Sequence, residues 1–234
     1  MKRIIIAALV ISVFFCSCGE KITGNGNVVT ETRNFNNSFY KVENDWLADI
    51  DIIPSDKNEI MITGESNILS NITTYVKDGV LVIKKKKKTR IKVRDIKPVT
   101  ITIYMKECYG IKNNGSGNVY IDSPIHERFS IYNGNSGDVT VNNLESIRTI
   151  IENKSGGDIY VSGVTETLEV YNDGNGDIDC YHLTSRWAQV ENNDNGNVKV
   201  YATESAEVWI NGEGSVWVDG TNNVRYHYDT HDDK

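Results

Sequence analysis

The chain has few of the residues that interrupt or cross-link a fold, with only three prolines and four cysteines among 234 residues. Long helical patterns are scarce as well, whereas short runs rich in β-branched and aromatic residues are frequent. Such runs, bounded by Gly, Asn, Asp and Ser, are typical of strands. The composition therefore predicts an all-β protein.

Positive charge is also in short supply, since the formal net charge is −7. A protein that binds phosphate backbones needs a basic footprint, so nucleic acid is excluded as the expected partner. Beyond the first residues, no segment approaches the ~18 consecutive apolar residues of a transmembrane helix. We therefore expect no membrane-spanning helix there.

The one long apolar run lies at residues 4–15, directly after Lys2 and Arg3. A basic start followed by about a dozen apolar residues is typical of a secretory signal. Small Ser17 precedes Cys18, as in the lipobox of bacterial lipoproteins. We predict a lipoprotein signal peptide at 1–17, acylation of Cys18 and attachment to a membrane through that lipid. The alternative is plain secretion with an unmodified cysteine.

The remaining cysteines, Cys108 and Cys180, are predicted to be buried free thiols. Cys180 stands at an apolar repeat position, whereas Cys108 lies outside the repeat register. No histidine or acid stands at the spacing that a nucleophile or a metal ligand needs. The sequence therefore predicts no catalytic residue, no metal site and no cofactor.

One phrase returns from residue 111 onward, as in IKNNGSGNVYI and IYNGNSGDVTV. Its copies are separated by 20, 20, 19, 20 and 18 residues, a period typical of repeat architectures. We expect an anchor glycine to form a corner in each copy, because glycine allows a positive φ. The anchors are Gly117, Gly137, Gly157, Gly176, Gly196 and Gly214.

Apolar residues recur at three fixed offsets from each anchor, and all are β-branched apart from Cys180. Even offsets place them on one face of a strand, where they are predicted to form the core. Six residues before the anchors stand Ile111, Ile131, Ile151, Val170, Val190 and Val208. Two and four residues after them stand Val119, Val139, Ile159, Ile178, Val198 and Val216, then Ile121, Val141, Val161, Cys180, Val200 and Val218.

Asparagine stands four residues before five of the anchors, and Ile210 replaces it in the last copy. The even offset should direct these side chains inward, where stacked amides bond from rung to rung. The residues are Asn113, Asn133, Asn153, Asn172 and Asn192.

A unit of about 20 residues cannot bury its apolar face alone, so its copies must stack. The same residue type at the same offset favours a right-handed parallel β-solenoid, or β-helix, over an antiparallel meander. We predict a tether at 18–26, a strand-rich N-terminal segment at 27–105 that packs on or caps the coil, and solenoid repeats at 106–222. Residues 223–234 are predicted to form a C-terminal strand and an acidic tail.

Within the N-terminal segment, residues 23–32 are similar to an isolated first copy of the repeat phrase. The runs on either side of residues 54–58 are predicted to pair through a turn. A helical turn is predicted at 67–72, and a hairpin at Asp78-Gly79.

The lysine run at 84–88 is the one strongly cationic stretch. One hypothesis is contact with anionic lipid headgroups or acidic glycans beneath a tethered domain. The other is that these lysines are solvated strand ends that protect an edge strand from pairing.

A family resemblance rests on Arg33, Phe39 and Val42, on GESNIL at 64–69 and on VKDGVL at 76–81, followed by the glycine-rich repeats. Together they resemble the putative auto-transporter adhesin, head-GIN-domain family. The resemblance covers nearly all of the chain after the signal peptide. It implies an exported bacterial lipoprotein with a β-solenoid fold and no established activity.

Aromatic residues recur at outward offsets, five before and three after the anchor. Exposed rings on a flat ladder stack on sugars or dock a partner chain. The alternative is that they only cover a sheet face. The candidate binding residues are Tyr120, Tyr132, Tyr160, Tyr171, Trp209 and Trp217.

The position after the anchor is polar and includes Asp138, Asp158 and Asp177. Stacked carboxylates on a β-helix suit acid–base work on a polysaccharide, as in pectin-degrading enzymes, or calcium binding. Asn118 and Asn197 occupy the same position in other copies, which favours a role in the turn instead.

The leading hypothesis is a non-enzymatic, lipid-anchored envelope β-solenoid that acts as an adhesin or surface scaffold. Its expected partners are a membrane, through the lipid, and a glycan or another envelope protein. Its expected location is the outer membrane, facing the periplasm or the cell surface. The alternatives are a pectinase-like polysaccharide enzyme and a structural envelope subunit without a small ligand.

Overall fold

The computed structural model describes residues 21–86, 90–92 and 96–228, which are almost entirely strands and turns. The predicted signal peptide at 1–17, Cys18 and the last six residues of the tail lie outside the described residues. Within the described part, the only α-helix is the single turn α1, Ser66–Leu69. No helix in those ranges has the length and apolar character needed to cross a membrane.

The strands before the repeats are β1 (Lys21–Ile22), β2 (Val28–Asn34), β3 (Lys41–Asp45), β4 (Asp49–Pro54), β5 (Glu59–Glu65), β6 (Ile72–Lys77), β7 (Val80–Lys85), β8 (Arg90–Ile91) and β9 (Thr100–Met105). The strands of the repeats are β10 (Gly110–Asn113), β11 (Val119–Asp122), β12 (Ile125–Asn133), β13 (Val139–Asn153), β14 (Ile159–Asn172), β15 (Ile178–Asn192), β16 (Val198–Ile210), β17 (Val216–Asp219) and β18 (Val224–Tyr228).

The repeats stack in parallel, so residues at the same offset become vertical neighbours. Before the corner, β10, β12, β13, β14, β15 and β16 pair in that order, which places Ile111 beside Ile131 and Ile131 beside Ile151. After the corner, the stack runs from β11 through β13 to β17. The predicted all-β parallel β-solenoid is confirmed, with about 6 turns.

The predicted core columns lie inside the coil. Every residue at the three apolar offsets is buried except Val218, which is partly buried on the last strand of its stack. The same core includes residues from the return between copies, at offsets outside the three predicted columns. Phe129, Leu168, Ala188 and Ala206 stand eight residues before their anchors, and the others are Leu144, Leu183 and Ala202.

The coil begins earlier than the predicted boundary at residue 106. β3 pairs in parallel with β10, and β4 pairs in parallel with β11, so Val42 lies beside Ile111. Asn44 takes the inward asparagine position, and Ala48 stands where later copies have the anchor glycine. The prediction is corrected: β3 and β4 form a rung of the same coil, although a long insertion separates them from the next copy.

The insertion closes this end of the coil. β7 pairs in parallel with β3, and β9 pairs in parallel with β4, so both extend the stack. The antiparallel strands β6, β5 and β2 follow at the outer edges. Because antiparallel strands end the parallel repeat, the N-terminal segment caps the coil.

Three local expectations are wrong. Residues 23–32 form no rung, since β2 pairs antiparallel with β5. β4 and β5 do not pair with each other, because β9 lies between them. Residues 21–26 of the expected tether are bound to the fold: β1 pairs with β8, and the Gly26 N–H donates to Glu65 at 2.6 Å.

The hairpin prediction is confirmed, since β6 and β7 are joined by Asp78 and Gly79 with φ of 51° and 74°. Of the lysine run, Lys84 and Lys85 guard no edge, because β7 lies between β3 and β6. Lys84 donates to the Tyr75 hydroxyl at 2.8 Å, and residues 87 and 88 lie outside the described ranges.

Candidate functional site

The corners of the coil are packed backbone against backbone. A Cβ atom on any anchor glycine would come within 2.0–2.2 Å of a carbonyl oxygen of the previous rung. The expected positive φ is not the reason for glycine, because the positive-φ glycines in the described ranges lie elsewhere. Close stacking requires glycine at Gly117, Gly137, Gly157, Gly176, Gly196 and Gly214.

The inward asparagines form a ladder beneath these corners. The five predicted residues have no exposed surface, and each donates from Nδ2 to its anchor carbonyl at 2.9–3.3 Å. Amide-to-amide bonds join Asn113 to Asn133 and Asn172 to Asn192. The ladder also includes Asn44, which bonds to Asn113 at 3.0 Å. Sequence reasoning missed Asn44 because its copy has alanine at the anchor.

The polar column after the anchor is used to hold successive rungs together. The Oδ1 atom of each Asp or Asn accepts the backbone N–H of the equivalent residue one rung further, at 2.7–3.1 Å. Asp and Asn serve equally because both carry this oxygen. Asp138, Asp158 and Asp177 therefore have a structural role. Among the described residues, no His, Cys, Asp or Glu group is arranged to hold a metal ion.

Tyr132, Tyr171 and Trp209 lie in one outward column, on the strands before the corner. All three rings are partly buried. The Lys112 Nζ lies 5.9 Å from the centre of the Tyr132 ring, and the His227 imidazole stacks on Trp209 at 4.9 Å. Neighbouring side chains therefore cover part of this column.

Tyr120, Tyr160 and Trp217 lie in a second outward column, on the strands after the corner. Their side chains are more open, with 41 %, 45 % and 51 % of the surface exposed. The Asp158 carboxylate, aided by partial burial, raises the pKa of the Tyr160 phenol. This column carries the most accessible rings of the candidate set.

The structure does not bring the six candidate rings together. The two columns belong to different strands of each rung, separated by the glycine corner. Non-aromatic residues also interrupt each column, as Thr140 does between Tyr120 and Tyr160. Those two tyrosines are two rungs apart, or about 9.6 Å at the usual strand spacing. The candidate site is therefore two separate surfaces.

The six candidate residues leave out an aromatic group in a bulge of β15. Cys180 pairs with Val200 and Thr184 with Tyr201, so residues 181–183 have no partner on β16. Tyr181 and His182 are consequently exposed beside the second column. A signal existed in the spacing, since the copy with the bulge has 20 residues from Gly176 to Gly196, whereas the copy opposite it has only 18 from Gly196 to Gly214.

A second missed group is a stack of rings near the capped end. Tyr40, Tyr109 and His126 stack in succession, with ring centres 4.9 and 3.5 Å apart. They come from three successive levels of the coil. Tyr40 and Tyr109 stand eight residues before Ala48 and Gly117, whereas His126 stands eleven before Gly137, so no single offset grouped the three rings.

Cys108 and Cys180 are buried free thiols, as predicted. Burial raises the pKa of the Cys108 thiol to about 12 and raises the pKa of Cys180 as well. Because the thiolate is the nucleophile and the metal ligand, neither cysteine is suited to those roles at neutral pH.

Residues 38–221 match a family model described as the putative auto-transporter adhesin, head GIN domain. The matched stretch begins just before the first rung, formed by β3 and β4, and ends after the last corner at Gly214. None of the curated proteins matches the chain.

Solved structures share the fold. A putative adhesin from Bacteroides fragilis is 22 % identical with a TM-score of 0.82, over 88 % of this chain and 94 % of that one. A putative lipid binding protein from Parabacteroides distasonis is 20 % identical with a TM-score of 0.65, over 89 % and 100 %. A putative adhesin from Parabacteroides merdae is 16 % identical with a TM-score of 0.53, over 85 % and 99 %.

Proposed function

Because the chain belongs to the family of the putative auto-transporter adhesin, head GIN domain, we propose that it is a non-enzymatic binding protein of the bacterial cell envelope. It binds glycans through the exposed rings of the solenoid and is held at the outer membrane by a lipid on Cys18. The family and the similar structures are named as adhesins or binding proteins, which supports binding over catalysis.

The observation that carries the proposal is the exposure of Tyr120, Tyr160 and Trp217 on a rigid ladder. An exposed aromatic face that no neighbouring strand covers is suited to the apolar face of a sugar ring or to a partner side chain. Because the rings are fixed to stacked strands, little conformational freedom would be lost on binding.

A binding role also agrees with the hydrogen bonds of the polar column after the anchor, which includes Asp138, Asp158 and Asp177. Pectinase-like chemistry needs carboxylates that are available for acid–base work on a substrate. Asp138 and Asp158 instead accept backbone N–H groups of the next rung at 2.8 Å. Their oxygens therefore contribute to stacking.

The position of the predicted lipid on Cys18 suits display of the coil. Residues 19 and 20 alone separate Cys18 from β1, and residues 24–26 are bound to the cap through Glu65. A lipid on Cys18 would therefore attach near the capped end. The opposite end, with Trp217, would lie about five rung spacings, ~24 Å, from the rung of β10.

Glycan binding is tested with the full-length chain in detergent on a glycan array. We expect binding of at least one glycan class, and at least tenfold weaker binding when Tyr120, Tyr160 and Trp217 are all changed to alanine. Tyr226→Ala removes an exposed ring outside both columns and serves as the control. Absence of glycan binding, or full binding by the triple variant, would contradict the proposal.

Anchoring is tested separately by membrane fractionation and intact-mass analysis of cells that produce the wild-type chain or Cys18→Ala. The wild type should carry acyl mass and sediment with membranes, whereas Cys18→Ala should lack both properties. Cys16→Ala is the matched control and should be acylated normally. Equal membrane retention of all three would refute the lipid anchor without affecting the glycan test.

A further inference from the structure

The β15 bulge leaves residues 181–183 without partners on β16. Bulges redirect side chains and often occur beside functional sites. In this bulge Leu183 returns to the core, while Tyr181 is 44 % exposed and His182 is also exposed. Two ring-bearing side chains thus project beside the otherwise flat second column.

The bulge forms one wall of an open depression of about 440 Å³. Its other walls come from the second column and from the end of β17. A depression of this size falls within the range of small-ligand pockets, about 300–1,000 Å³. Its main lining residues are Asp179, Tyr181, His182, Lys199, Trp217 and Asp219.

Tyr181 is bound to one carboxylate through its backbone and to a second through its ring hydroxyl. Its backbone N–H donates to Asp179 Oδ1 at 3.0 Å, and its hydroxyl donates to Asp219 Oδ2 at 3.4 Å. The Tyr201 ring meets it edge to face, with ring centres 6.2 Å apart. These contacts position Tyr181 in the wall of the depression without any bound ligand.

Aromatic and acidic groups both border the depression. Trp217 is 51 % exposed, and the Lys199 Nζ lies 5.8 Å from its ring centre. An ionised carboxylate has about four acceptor positions. Asp179 accepts the Tyr181 N–H, and Asp219 accepts the Tyr181 hydroxyl and its neighbouring Gly220 N–H. Acceptor capacity therefore remains on both carboxylates.

We infer that this depression is a binding subsite for one uncharged pyranose ring of a glycan. The apolar face of the sugar stacks on Trp217, and sugar hydroxyls donate to Asp179 and Asp219. Because two carboxylates oppose one ammonium group, a uronic acid or sulfated sugar is disfavoured there. The inference rests on the proposed glycan binding and assigns it a location and a ligand class.

The test measures affinity of the full-length chain in detergent for the methyl glycosides of glucose, galactose, mannose and N-acetylglucosamine, with methyl glucuronide for comparison. At least one neutral glycoside should bind and shift the tryptophan emission. Trp217→Ala should weaken that binding at least tenfold, and Asp179→Asn should weaken it by a smaller factor. Trp217→Phe, which keeps an aromatic face, should retain most of it.

Two controls separate this subsite from the wider proposal. Tyr226→Ala should bind within twofold of wild type, and circular dichroism should show that every variant is folded. Sugar binding that survives Trp217→Ala but is lost in Trp209→Ala would overturn the subsite and leave the proposed function in place. Tighter binding of methyl glucuronide than of every neutral glycoside would also overturn it, whereas no binding of any glycan would refute the proposed function itself.

Discussion

At the scale of single residues, the corner imposes the strictest requirement on side-chain size. A Cβ atom on Gly157 would lie 2.2 Å from the Gly137 carbonyl oxygen, whereas one on Gly156 would meet nothing within 4 Å. Neither glycine has a positive φ. Two adjacent glycines in one turn therefore have different physical roles.

This difference leads to a paired prediction. Gly157→Ala should lower the free energy of unfolding by about 2 kcal/mol or more, because the clash is with backbone that cannot rotate away. Gly156→Ala should be neutral or stabilise by up to ~1 kcal/mol, because it only restricts the unfolded chain. Urea unfolding followed by circular dichroism measures both, and equal effects would contradict the close-packing argument.

The buried asparagine ladder supports a second residue-scale prediction. Asn172 donates from Nδ2 to the Gly176 carbonyl at 3.3 Å and to Asn192 Oδ1 at 3.1 Å. Asn172→Ala should lower the free energy of unfolding by about 1–3 kcal/mol, because two buried acceptors lose a donor. Asn222→Ala, at an exposed position, is the control and should change the unfolding midpoint little. An Asn172→Ala variant as stable as that control would contradict a stabilising ladder.

At the scale of elements, the cap depends on one buried carboxylate. Glu65 is 3 % exposed and accepts the backbone N–H groups of Gly26 at 2.6 Å and Lys97 at 2.9 Å. A Cβ on Gly24 would overlap its carboxyl group. Glu65, at the end of β5, thus connects residues 24–26 to the loop before β9. This contact gives the GESNIL segment at 64–69 a structural role in the cap.

We predict that Glu65→Ala loosens these connections. It should lower the free energy of unfolding by about 2 kcal/mol, because hydrogen bonds to a charged acceptor are lost. Hydrogen exchange measured by mass spectrometry should show faster exchange at residues 24–27 and 96–98 than in the repeats. Glu127→Ala, at an exposed position, should leave the exchange pattern unchanged. Uniform acceleration along the whole coil would contradict a local role for Glu65.

At the scale of the whole molecule, one continuous core runs from the cap to the last rung. Both cysteines lie in it, and burial raises the pKa of Cys108 to about 12. In a chain that begins at residue 19, neither thiol should react with Ellman's reagent at pH 8 while the protein is folded. Both should react in guanidinium chloride, and fast reaction of the folded protein would contradict the continuous core.

The sequence predicted those parts of the fold that depend on contacts between equivalent positions. The offsets of Ile131, Val139 and Val141 from Gly137 identified the two strands of a rung and their buried face. Equivalent residues become neighbours in a parallel coil, so the period itself revealed the stacking. The cap strands β2, β5 and β9 were not predicted in their pairing, because their contacts join segments with no shared pattern.

The sequence by itself determined the rung: its length, its inward residues, its asparagine ladder and its outward aromatic columns, since all of these are set by offsets within about 20 residues. The tertiary structure alone decided that Ala48 lies below Gly117, that anchor glycines are needed for contact between rungs, and that Tyr181 stands beside Trp217. These features depend on a long insertion, a carbonyl from another rung and a register shift. None of them is encoded at a fixed distance along the chain.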